Sequence, residues 1–293
     1  MASEGDRRGG FEIAGRRSRI LEAARVGSDG RRGVAIALIS TLVFLALVGF
    51  AISRAPGFQE VRRTFFDWSY FKQSFPEIAR AFVLNVKIFM IAEVFILIFA
   101  LLLAILRSLP GPIFFPLRAF AVVYADFFRG VPTILVIALL GFGAPALQLR
   151  GVPTSTTFWG IVALVLVYSA YVSEVYRAGI ESVHPSQEAA ARSLGLSRAQ
   201  TLRRVILPQA VRRVIPPLLN DFIGLQKDTA LVGTLGAVEA FQQSQIDANA
   251  TFNYTALLAA AVLFVAITIP LARFTDWLIM RDRRRRQASG SVA

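Results

Sequence analysis

Long apolar runs, each interrupted by a basic or mixed polar segment, set the plan of this chain. Six runs are continuous rather than alternating and long enough to cross a hydrocarbon core, which takes about 20 helical residues. They cover residues 34–53, 82–106, 117–141, 158–176, 214–235 and 255–279. Inside lipid only helices or closed barrels satisfy their own backbone hydrogen bonds, and a barrel strand alternates where these runs do not. The pattern therefore predicts an all-α membrane protein, a polytopic bundle of about six transmembrane helices. Between the fourth and fifth runs lies a polar, basic segment, residues 181–211.

Local chemistry predicts two short helices in that segment with a break between them. Pro185 suits a first helical turn, where its missing N–H is not needed, and Glu188 in the same turn favours the helix dipole. His184 stands at the helix entrance. Gly195 can take the left-handed conformation that closes a helix, and Ser197 with Gln200 three residues on forms a capping-box pattern. The second helix is expected over Ser197–Ile206, with Pro208 stopping or bending it. Ala189, Ala190 and Ala191 are expected to give a small-residue surface for close approach of a partner.

Charge changes the picture by giving it a direction. The net charge is +13, and its arginines gather at both chain ends and in the 177–213 segment, as topology-setting charge does. An even number of spans places both termini and the 181–211 segment together in the cytoplasm. Glu239 and Asp247, with no lysine or arginine between the fifth and sixth runs, fit the outside. The connector dissents, because Arg54, Arg62, Arg63, Lys72 and Arg80 stand there against Glu60, Asp67 and Glu77. The membrane pattern accounts for the positive charge without nucleic acid. The first run reads as an uncleaved anchor, since about thirty mostly polar residues precede it and no A-x-A cleavage site follows. The organisation expected is a basic disordered segment (1–33), a separate amino-terminal helix (34–53), an extracytoplasmic connector (54–81), a multi-span helical domain (82–280) and a basic cytoplasmic tail (281–293).

Composition narrows the chemistry. A content of 55% hydrophobic residues with a mean hydropathy of +0.56 exceeds what an ordinary soluble domain carries. No cysteine and a single histidine exclude a disulfide scaffold, a thiolate centre and a multi-histidine metal site. No G-x-x-x-x-G-K-[ST] phosphate loop occurs; Gly224 and Lys227 have the wrong spacing. Intramembrane ionisable groups are costly and face protein or a wet cavity. Glu93, Asp126, Arg129, Asn220, Asp221, Lys227 and Asp228 are therefore candidates for a translocation path or for polar pairs between helices. Asp126 and Arg129 are spaced to pair within one helix, whereas adjacent Lys227 and Asp228 cannot share a face. Tyr171 and Glu174 are expected to orient the polar segment or a neighbouring helix, and Tyr168, Tyr176, Phe274 and Trp277 to anchor span ends.

Glu188, Ala189, Ala190, Gly195, Ile206, Leu207 and Pro208 resemble the EAA loop of the membrane subunits of binding-protein-dependent ABC importers. Arg129, Gly130 and Pro132, then Ala170, Tyr171, Glu174, Arg177, Gly179 and Ile180, then Gln209 and Ala210, and Lys227, Asp228, Thr229 and Leu231 resemble the polar amino-acid branch of that family. The similarity covers about Phe82–Ile279. It departs at Ser186, where the family usually has glycine, and at Ala230, where serine is common. The resemblance implies a multi-pass permease subunit of the bacterial plasma membrane, importing polar amino acids or another small amino-acid-like solute. It implies a coupling loop seated on cytoplasmic ABC ATPase subunits that bind ATP and magnesium, a second permease copy or paralogue, and an extracytoplasmic solute-binding protein. This chain would hold no cofactor and catalyse no reaction. An ion-coupled secondary transporter using Glu93 and Asp126 is the rival from another class.

Overall fold

The computed structural model describes residues 33–290, with side chains as far as Arg281. The expected disorder of the first 33 residues falls almost wholly outside the described part. The chain divides into two units, residues 1–62 and 63–293. In the first, α1 (Gly33–Arg54) is a 22-residue apolar helix with every side chain exposed.

The second unit is a helical bundle: α2 (Phe58–Phe65, which begins in the first unit), α3 (Trp68–Ser108), α4 (Phe115–Gly130), α5 (Thr133–Ala146), α6 (Thr156–Glu181), α7 (Pro185–Ser193), α8 (Arg198–Thr201), α9 (Leu207–Asp228), α10 (Ala240–Thr251) and α11 (Thr255–Gly290). No strand occurs among the described residues. Asp67 starts α3 by accepting from the backbone N–H of Ser69 (2.9 Å) and Tyr70 (3.1 Å). One face of α3, marked by Ile78, Ala92, Ile96, Ala100 and Leu103, is buried. The opposite face carries Val94, Phe95, Ile98 and Leu101 exposed, as a lipid-facing surface should. Helix α6 is the pillar of the core, with Ala163, Leu164, Val167 and Ala170 fully buried. It touches α3, α4, α5 and α9. Its small residues permit this: a Cβ on Gly179 would overlap Val214 of α9, and one on Gly160 would overlap Val232.

Two predicted spans take a different form. The third run is not one helix, because α4 and α5 meet at 101°. Pro132 has no N–H for the helix ladder and pushes Val131 into an extended conformation (φ −96°, ψ 133°). The fifth run starts earlier and ends earlier than its hydropathy suggests. Helix α9 stops at Asp228 and continues as a tight 3-10 segment, Thr229–Leu235, closed by Gly236 at φ 86°. Four described helices are long and apolar enough to cross a bilayer, five when the bent α4–α5 pair is counted as one, and α9 with its polar residues is not among them.

Candidate functional site

The polar segment folds as its local signals direct. His184 caps α7 by accepting the Ser186 N–H on Nδ1 (3.2 Å), Pro185 occupies the first turn, and Glu188 lies beside it. Gly195, at φ 84°, closes α7: its N–H reaches the Arg192 carbonyl (2.9 Å) and the Leu196 N–H reaches that of Ala191 (3.2 Å). These are the paired bonds of a Schellman motif. Ser197 and Gln200 then form a reciprocal capping box, 2.9 and 3.3 Å. The three alanines do not share a surface, since successive helical residues turn by about 100°. Ala191 is buried, while Ala189 and Ala190 are exposed. Beyond them Leu194, 83% exposed, projects at the turn.

Pro208 does not stop the second helix. Residues Leu202–Ile206 form a π turn in which the Leu207 N–H bonds back to the Leu202 carbonyl, and α9 follows at once with Pro208 in its first turn. The wider turn gives the proline ring room next to the carbonyl it would otherwise strike. Gln209 Nε2 donates to the Val205 carbonyl (3.0 Å). A helical path thus runs from Arg198 to Asp228 with no loop in it. Ile206, Leu207 and Pro208 are the joint between the polar segment and α9.

At the root of the segment Glu174 gathers three arginines. It pairs with Arg107 of α3 and with Arg177 of its own helix (2.8 Å), and Arg129 of α4 lies 3.9 Å away. Arg177 also pairs with Glu181. Tyr171 donates to the Arg129 carbonyl (3.3 Å) and lies under its guanidinium, 5.9 Å from ring centroid to Cζ. Arg213 of α9 donates to the Ser182 carbonyl. The expected Asp126–Arg129 pair does not form: Arg129 turns to Glu174, and Asp126 is exposed with no ion pair among the described residues.

The intramembrane candidates separate onto two faces of α9. Asp221 and Asp228, seven residues apart, turn inward. Asp228 accepts from Tyr168 Oη of α6 (2.9 Å), the partner that its sequence position demanded. Asp221 borders a cavity of about 460 Å³ with Arg129, Tyr171, Glu174 and Arg213, and its buried Oδ2 accepts no hydrogen bond within the described chain. Glu93 of α3 stands one turn from Phe89, whose ring packs on Phe222 beside Asp221 (4.4 Å between centroids). Asn220 and Lys227, also seven apart, are exposed on the other face, and Lys227 has no ion pair among the described residues.

A fully buried polar centre was not signalled by the sequence pattern. Glu239, taken as a marker of an outside loop, is 0% exposed. Its carboxylate accepts from Asn85 Nδ2 (2.9 Å) and the backbone N–H of Phe241 and Gln242 (both 2.8 Å), capping α10. Asn85 also donates to Thr229 Oγ1 (3.1 Å) and accepts the Ala240 N–H (3.0 Å). Burial pushes the Glu239 carboxyl above the usual carboxylate range, and its three donors draw it part of the way back. Helices α3 and α10 and the 3-10 segment are thereby pinned together.

Residues 97–284 match the family described as the binding-protein-dependent transport system inner membrane component. The chain belongs to this family. Among relatives of this inner membrane component, the Bacillus subtilis "Probable amino-acid permease protein YxeN" is 35% identical, over 69% of this chain and 90% of that protein. The Vibrio harveyi "Probable amino-acid ABC transporter permease protein PatM" is 32% identical, over 72% and 94%. A crystal structure of an amino acid ABC transporter with histidines is 27% identical, at a TM-score of 0.67, over 73% of this chain and 98% of that one. The inward-facing MetNI methionine ABC transporter shares the fold, with a TM-score of 0.53 at 18% identity. Among the described residues of this inner membrane component, no group of three or more His, Cys, Asp or Glu side chains is placed to hold a metal.

Proposed function

We propose that this chain is the permease subunit of an ATP-driven importer of polar amino acids in the bacterial plasma membrane. Two permease subunits, identical or paralogous, form the path, a separate ATPase pair drives it, and an extracytoplasmic binding protein delivers the solute. Its family membership and the names of its relatives support the class of solute. The observation that carries the path is the exposed ridge of Asn220 and Lys227 on α9, with Asp126 exposed on α4. Charged and amide groups at such depth are not left against lipid, so a second subunit or a wet passage faces them. Lys227 offers a cation to a substrate carboxylate, and Asp221, with an unpartnered oxygen and Glu93 nearby, offers an acceptor to an ammonium.

The coupling loop is the ATPase contact, with Glu188, Ala189, Ala190 and Gly195 at its first helix and Ile206, Leu207 and Pro208 at its joint. In this reading the loop and both termini are cytoplasmic, as the arginine distribution favours. ATP and magnesium are bound by the partner, whose closure shifts the loop between two positions.

The test is co-expression with a candidate ABC ATPase subunit from the same genome, purification, and uptake of labelled amino acids into proteoliposomes. Leu194→Asp, at an exposed position, removes co-purification of the ATPase by about tenfold or more, as loss of an apolar anchor in a docked interface does. Lys227→Met leaves the ATPase bound and cuts uptake by about tenfold or more. Retained ATPase in the first variant sinks the docking assignment, and unchanged uptake in the second takes Lys227 out of the path.

A further inference from the structure

A second cavity, about 720 Å³, opens between α3, α4 and α6 at the same end of the bundle as the coupling loop. None of its lining residues comes from α9. On α6 it uses Arg177, Ile180 and Glu181, none of which borders the Asp221 cavity. One end is basic, with Arg107, Arg118 and Arg177, and along the helices the wall becomes apolar, with buried Ala104 and exposed Val122 and Val123. The gradient follows the helices: Ala104 lies about one turn inward of Arg107, and Val122 about one turn inward of Arg118, roughly 4.5 and 6 Å at helical rise.

The basic end, which Glu181 also lines, is one anion short. Arg107 and Arg177 share Glu174, and Arg177 also holds Glu181. Arg118 has no carboxylate within ion-pair distance among the described residues. It donates instead to the Leu109 and Gly111 carbonyls (2.7 and 2.9 Å), both through Nη1, which leaves its other donors free to meet a ligand. Three guanidinium groups therefore stand against two carboxylates, at the level where an apolar span meets the headgroup layer. A single phosphodiester charge balances them, and acyl chains cover the valine and alanine wall beneath.

We propose that this cavity is a binding site for an anionic phospholipid, its phosphate held by Arg118 and Arg107 and one acyl chain lying along Ala104, Val122 and Val123. Basic pockets between transmembrane helices take such headgroups, and the apolar floor favours a lipid over free phosphate. Because Arg107 and Arg177 also hold Glu174, an occupied site bears on the helix end from which the coupling loop departs.

The experiment is native mass spectrometry of the purified full-length chain in detergent, titrated with phosphatidylglycerol and, separately, with phosphatidylcholine of the same acyl chains. Bound phosphatidylglycerol exceeds phosphatidylcholine by about tenfold, and millimolar inorganic phosphate does not displace it. Arg118→Gln reduces binding to the phosphatidylcholine level. Since Arg118 also holds backbone carbonyls, Ala119→Phe, which fills the groove and leaves every arginine in place, gives the same loss independently. Equal binding of the two lipids, displacement by phosphate, or undiminished binding in Ala119→Phe overturns the proposal. So does near-complete disulfide formation between two copies of Val123→Cys in native membranes, because a second copy then covers the groove. None of these readouts depends on transport, so failure here is distinguishable from failure of the importer assignment.

Discussion

Glu174 and Glu181 lie two turns apart on one helix and both hold Arg177, yet their surroundings make them unequal. Glu174 is 15% exposed and also pairs with Arg107, itself 15% exposed, whereas Glu181 is 61% exposed. Removing a carboxylate from a mostly buried pair strands a desolvated cation, at a cost of about 3 kcal/mol or more. Removing an exposed one changes stability by about 0.5 kcal/mol or less. Glu174→Gln is therefore expected to lower the thermal midpoint of the purified chain by several degrees while Glu181→Gln leaves it nearly unchanged, as followed by intrinsic tryptophan fluorescence. Equal midpoints for the two variants would refute the hub. The sequence marks Glu174 as an orienting residue, but Arg107 carries no local sign of its role because its partner is 67 positions away. A longer separation hides Glu239, whose partner Asn85 is 154 residues earlier. An acidic residue in a connecting segment reads as solvent-facing until that contact is known.

Among the elements, those governed by neighbours in sequence were the legible ones. The cap at His184, the glycine closure at Gly195 and the capping box at Ser197 each need only three or four adjacent residues, and the structure places all three as expected. Hydropathy alone reads the spans less well. A membrane helix is apolar on its lipid face as well as its packed face, so its pattern does not reveal which side is buried, and mean hydropathy over 117–141 gives no sign of the 101° bend between α4 and α5. The joint at Leu202–Ile206 is the element the sequence hid most completely, since Pro208 reads as a stop and the π turn instead carries the helix past it. A π turn holds one residue more than the α-helical ladder needs. Deleting Arg203, an exposed residue inside it, restores regular α-helix and turns α7 and α8 by about 100° relative to α9. The expected result is an intact bundle, judged by thermal midpoint and monodispersity, that no longer retains the ATPase. Full ATP-driven uptake by the deletion variant would mean that the joint does not set the loop's orientation.

For the whole molecule, the unresolved tension is the connector, whose five cations oppose three anions on the side that topology assigns to the outside. Positive charge next to a span tends to hold that segment in the cytoplasm. By itself, then, the connector would invert α3 and everything after it. The arginines of the 177–213 segment and of the tail pull the other way, but they emerge later in synthesis. We propose that helix α1 resolves the competition: preceded by eight arginines and apolar along its length, it would insert first with its amino terminus inside and commit the connector outward before α3 appears. This gives a role to a helix that lies outside the family match, which begins at residue 97. Removing residues 2–57 is expected to yield a mixed population in which a substantial fraction of chains has its carboxyl terminus on the wrong side. Paired carboxy-terminal fusions to alkaline phosphatase, active outside, and to green fluorescent protein, fluorescent inside, report the two orientations. Replacing Arg62, Arg63 and Lys72 by glutamine in the truncated chain then restores a single orientation, because the opposing signal is gone. A truncated chain that inserts uniformly with its native charges would show that the later arginines suffice and that α1 serves another purpose.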